Sequence, residues 1–127
     1  MSTATALSKY YEHAYPGEPE QVALARHDVA RYLNGHPLTD DAVLIVSELA
    51  TNAVLYSGSA GRTFILRAEL FAGYLWLEVE DLAGVEWERK AGDGTHGLDI
   101  VTALSGEWDA EDTGDGTRVV WARLELP

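Results

Sequence analysis

The feature that most constrains this chain is a change of hydrophobic period near its middle. From Thr39 to about Tyr56, the residues Val43, Leu44, Val46, Leu49, Ala50, Ala53, Val54 and Leu55 make a segment apolar nearly all round a helix. From Phe64 the period falls to two. Phe64, Leu66, Ala68 and Leu70 alternate with Ile65, Arg67 and Glu69, and beyond Gly73, Leu75, Leu77 and Val79 alternate with Trp76, Glu78 and Glu80. A helix that apolar has to be buried. A hairpin apolar on one side has to be covered. Each requirement answers the other, so the segment dictates a helix layer packed on a sheet layer.

The other elements extend the same pattern. Tyr10, Tyr11 and Tyr15 precede Pro16-Gly17 and suit a first strand at a sheet edge. Pro19 opens a helix with Val22, Ala25, Val29, Tyr32 and Leu33 on one face, and Asn34-Gly35 stops it. Thr39 is a suitable N-cap for the second helix, Asp40 and Asp41 meet the positive end of its dipole, and Leu38 with Val43 fits a hydrophobic staple. Ser57 to Gly61 reads as a flexible loop. From Leu82 to Thr95 there is no period, and a loop of that length in a small domain is usually functional. A short helix from Gly97 to Leu104 follows, then a strand from Trp108, a turn at 112–116, and a last strand through Val120, Ala122, Leu124 and Leu126. The expected fold is α+β, a two-layer sandwich whose sheet is mixed but mainly antiparallel, with three helices on one face.

At 127 residues the chain suits a single domain, 1–127, with residues 1–7 expected to be flexible. The formal net charge is −12, with −3 on residues 1–63 and −9 on residues 64–127. So acidic a surface repels nucleic-acid phosphates and anionic membranes. It leaves a small molecule or a protein as partner, and the acids Glu107, Asp109, Glu111 and Asp112 are a candidate surface for a basic one. Absence of cysteine removes disulfides and thiolate chemistry and fits a reducing compartment. There is no signal-peptide pattern at the N-terminus and no apolar run approaching the ~20 residues of a bilayer span. The expectation is a soluble cytoplasmic protein.

Several chemistries are excluded by motif. The chain has no Gly-Lys-Ser/Thr, no His-Glu-x-x-His and no Gly-x-Ser-x-Gly. A calcium loop counted from Asp109 would need Glu at its twelfth position, where Val120 stands. Gly92 to Gly97 spells G-x-G-x-x-G, but the nearest strand ends about ten residues earlier and no βαβ unit surrounds it.

Three features remain. Glu48 and Asn52 are four apart and project from one face of the apolar helix. The plain reading of such a pair is a polar stripe that meets solvent. The functional reading makes Asn52 a neutral oxygen ligand for Mg²⁺ and Glu48 a base for a hydroxyl nucleophile. Asp81 at a strand end can accept a hydrogen bond from an exocyclic amine, and Gly84 lets backbone approach a flat base; an ordinary turn carboxylate is the alternative. The glycine-preceded helix beginning at Gly97 offers N–H groups to an anion, with His96, Arg89 and Lys90 as nearby positive candidates.

Together these segments resemble the GHKL ATP-binding superfamily. Ser47-Glu-Leu-Ala-Thr-Asn-Ala-Val-Leu-Tyr-Ser57 is similar to its N box, Asp81-Leu-Ala-Gly84 to its first glycine box, and Gly94-Thr-His-Gly-Leu-Asp-Ile-Val101 to its second. Trp108 and the stretch Gly114 to Ala122 look like the tail of the small bacterial anti-sigma-factor serine/threonine kinases, as does Pro16-Gly17-Glu18-Pro19. The resemblance spans roughly residues 10–127 and implies a Bergerat-type sandwich that binds ATP and Mg²⁺ beneath a lid at 82–96. It implies that Asn52 holds Mg²⁺, Glu48 is the general base and Asp81 binds the adenine amino group. Gly94, Gly97 and Leu98 would meet the phosphates. The chain departs from the pattern at Ala83 and Val85 in the first box and at Thr95-His96-Gly97 in the second. Tyr56 stands where the subgroup often has His. Val119 stands where a Thr near the adenine is expected, and Thr117 is the candidate substitute. Kinases of this class phosphorylate a serine on an anti-anti-sigma protein, bind a sigma factor and commonly dimerise. The second reading is a non-catalytic partner-binding switch on the same fold.

Overall fold

The computed structural model describes residues 9–55, 62–82 and 98–126. The elements run β1 (Lys9–Pro16), α1 (Pro19–Leu33), α2 (Thr39–Leu55), β2 (Thr63–Leu70), β3 (Tyr74–Leu82), α3 (Leu98–Leu104), β4 (Glu107–Asp112) and β5 (Thr117–Glu125). The strands form one five-stranded sheet in the order β1-β2-β3-β5-β4. All four described pairings are antiparallel. The fold is the expected α+β arrangement, with the sheet antiparallel throughout its described pairings rather than mixed.

Local chemistry sets the helix ends. Pro19 occupies the first turn of α1, where its missing N–H costs no hydrogen bond. Asn34 stops the helix in the left-handed region at φ 50°, and its N–H donates to Ala30 O at 3.0 Å. The start of α2 differs from the N-cap expectation. Thr39 is already helical, and its hydroxyl donates to His36 O at 2.7 Å. His36 organises the turn before it, its Nδ1 accepting from Leu38 N at 3.1 Å.

The sheet turns one face to the helices. Phe64, Leu66, Leu75, Leu77, Val79 and Leu124 from that face meet Val29, Ile45, Val46 and Leu49 from α1 and α2, all essentially inaccessible to solvent. Each such side chain contributes roughly 1.5–3 kcal/mol relative to exposure. The helix α2 is not enclosed all round, however. Leu44 and Leu55 are 49% and 58% exposed, although the sheet, α1 and α3 all pack against the helix. On β1, Tyr15 is fully buried, donates to Asp28 at 2.8 Å and shares a 2.6 Å hydrogen bond with Tyr11. No helix among the described residues is long and apolar enough to cross a membrane.

Candidate functional site

Connectivity brings the three singled-out side chains to one end of the sandwich. β1 ends at Pro16, opposite Thr63 at the start of β2. Asp81 lies at the same end, opposite Arg118 near the start of β5. Helix α1 leaves that end, and fifteen residues carry it across the sheet. Helix α2 packs along α1 and returns, so Glu48 and Asn52 in its second half approach the edge where β2 begins at Thr63. Helix α3 starts from this end as well, since it leads into β4 at the far one.

Asn52 is 5% exposed within an apolar helix face. Glu48 is half-buried, and desolvation pushes its carboxyl above the ordinary range. A carboxylate raised in this way is a stronger base than an ordinary one.

Asp81 and Arg118 are buried together. Arg118 Nη2 donates to Asp81 Oδ2 at 3.2 Å and lies 3.0 Å from Oδ1, where it is out of line for a hydrogen bond. Asp81 Oδ1 has no hydrogen-bond partner among the described residues. Burial pushes the Asp81 carboxyl up to about 6, with Arg118 opposing the shift and Glu80 adding to it. The sequence reading missed Arg118. Its signal was parity: Arg118 falls on the same face of β5 as Val120, Ala122 and Leu124, so it points into the core and needs a counter-ion.

Thr117 alternates onto the opposite, open face of the sheet. Its hydroxyl donates to Asp115 Oδ1 at 2.9 Å within the β4–β5 turn, while the residue still borders the same sheet end as Asp81. A hollow of about 170 Å³ at this sheet end is lined by Arg62, Thr63, Ile65, Glu80, Asp81 and Thr117. Leu98 is the first residue of α3. Gly84, Gly94, His96 and Gly97, together with Arg89, Lys90, Tyr56 and the lid at 83–96, lie outside the described residues.

The donor chemistry fits the groups the resemblance implies. A buried carboxylate oxygen with open acceptor capacity suits an exocyclic amine. Among the described residues no three His, Cys, Asp or Glu side chains cluster around a metal position. Asn52 offers one amide oxygen, a donor that suits a Mg²⁺ otherwise completed by phosphates and water.

No family model matches the sequence, and no curated protein matches it. Among solved structures, the chain is similar to the RsbU and RsbW domains of Rv1364c from Mycobacterium tuberculosis, with a TM-score of 0.72 at 20% identity. The match covers 94% of this chain and 33% of the neighbour, so the chain spans about a third of that protein's solved length. At this identity the likeness establishes a shared fold, the two-layer α+β sandwich.

Proposed function

We propose that this chain is a cytoplasmic ATP-binding regulatory kinase of the anti-sigma type, which transfers the γ-phosphoryl group of ATP to a serine or threonine of a protein partner and controls transcription through protein–protein binding. The observation that supports it best is the gathering of Glu48, Asn52 and the buried Asp81 at one end of a sandwich built like a structure with an RsbW domain. Asp81 would accept a hydrogen bond from the adenine amino group. Asn52 would hold Mg²⁺, which supplies charge neutralisation on the transferring phosphoryl group. Glu48, raised by burial, would take the proton of the attacking hydroxyl. Gly94, Gly97 and Leu98 would meet the phosphates. The partners are those the resemblance implies, a sigma factor or an anti-anti-sigma protein, and a homodimer is part of the same reading.

One observation favours the second reading, a partner-binding switch without turnover. The carboxylate expected to read the base is already engaged by Arg118. Titration calorimetry with ATP, with and without Mg²⁺, on the wild type and Asn52→Ala separates the readings. Mg²⁺-dependent binding that Asn52→Ala abolishes supports the site. Binding with no phosphoryl transfer to an anti-anti-sigma protein favours the switch, and absence of binding in every arm rules out the kinase reading and leaves a switch that works without nucleotide.

A further inference from the structure

We infer that the open face of the sheet is a docking surface for a protein partner that presents arginines from an extended or flat segment. This inference is independent of the nucleotide site, which lies on the helix-covered face.

The strand registers sort the charge by side. Facing away from the helices are Glu12 of β1, Glu69 of β2, Glu78 and Glu80 of β3, Glu107, Asp109 and Glu111 of β4, and Glu125 of β5, against Arg67 and Arg123. That is a balance of −6, half of the chain's −12, on one face. No described helix packs on it. Asp112 is opposite Arg118 on the helix side, so the expected patch of 107–112 is split and its true extent crosses all five strands.

The centre of the face is aromatic. Trp76 and Trp121 stack with centroids 4.6 Å apart and planes 14° apart, both half-buried. Their Nε1 groups donate to Glu78 at 2.8 Å and Glu111 at 3.0 Å, which pins the two rings as a platform rimmed by carboxylates. The face's own arginines show two ways of holding a guanidinium here. Arg67 sits 2.8 Å from both Glu78 and Glu80 and 3.6 Å from Glu12. Arg123 lies 3.8 Å over the Tyr74 ring.

This chemistry selects the occupant. A second copy placed face to face would set −6 against −6, and like charge opposed across an interface costs several kcal/mol. Phosphate and anionic lipid are repelled. Arginine is favoured, because it pairs with carboxylates in a planar fork and stacks on aromatic rings. Five strands at ~4.8 Å, paired over about six residues at ~3.4 Å each, make a patch on the order of 500 Å². That is the scale of one side of a small to standard protein interface, roughly 800 Å² per partner.

The test uses the full chain and a synthetic ten-residue peptide alternating Arg with Val, measured by calorimetry at about 0.15 M salt, where long-range attraction is screened. The triple variant Glu107→Gln, Glu111→Gln, Glu125→Gln and the single variant Trp121→Ala are each expected to weaken binding about tenfold or more. A charge-matched control on the helix side, Glu18→Gln, Glu20→Gln, Asp40→Asn, should change it less than about twofold. Equal weakening by both triple variants would mean diffuse attraction and overturn the inference, as would no binding by the wild type. Sedimentation equilibrium supplies a second check: a wild-type dimer that Trp121→Ala converts to monomer would assign the face to a second copy and overturn it too.

Discussion

Asp81 on β3 and Arg118 on β5 are direct cross-strand neighbours whose side chains, each 2% exposed, meet at 3.0 Å on the helix side of the sheet. A buried pair of this kind seldom stabilises a fold more than apolar residues of the same volume would. Its place at the end of the sandwich that gathers Glu48 and Asn52 accounts for it better than stability does.

Arg118→Met should therefore be costly, because it leaves the Asp81 carboxylate buried without its cation. A loss of about 3–5 kcal/mol is expected at pH 7, read from urea unfolding. The double variant Asp81→Leu, Arg118→Met should recover most of that loss. A double variant as unstable as the single one would show that the pair is not the source of the effect.

The pH dependence of stability carries a sign specific to Asp81. Its folded value, about 6, lies above the ordinary 3.8. The folded state thus binds the proton more tightly than the unfolded state. The stabilisation from this proton is fully present below the unfolded value and is lost as pH rises through about 6. Subtracting the unfolding free energy of Asp81→Asn from that of the wild type should give a difference that falls between pH 4 and 6 and is level above. A flat difference across the range would contradict the shift.

Glu48→Gln should separate binding from chemistry. If Glu48 is the base, ATP affinity stays within about twofold while phosphoryl transfer falls by roughly 10²–10⁴. The wild-type rate should rise with pH as the carboxyl, held above the ordinary range by burial, ionises. Single-turnover transfer by the wild type and Glu48→Gln reads both effects, and a rate unchanged by the substitution would remove Glu48 from the role.

Tyr15→Phe keeps the ring that stacks on Phe64 with centroids 5.4 Å apart but removes the hydroxyl that donates to Asp28. The expected cost is about 1–3 kcal/mol, since the hydrogen bond is to a charged group and Tyr11 loses a partner too. Chemical denaturation of the variant checks it, and a change below about 0.5 kcal/mol would mean that water replaces the hydroxyl.

What the sequence determined by itself was the local order of the chain. The period change between α2 and β2, the stop at Asn34 and the alternation through β2, β3 and β5 are short-range facts, and each specifies which residues within one element share a side. Glu48, Asn52 and Asp81 could be singled out for the same reason, as residues at fixed offsets inside such segments, and their roles belong to the proposal. The tertiary structure decided what depends on contacts between distant segments. Strand register set Arg118 against Asp81 and turned Thr117 to the open face, and it gathered acids from all five strands around Trp76 and Trp121. Packing left Leu44 and Leu55 exposed on a helix whose composition called for burial. Alternation tells a residue its side, but only the pairing of strands tells it its neighbour, and burial, ion pairing and pKa all follow from the neighbour.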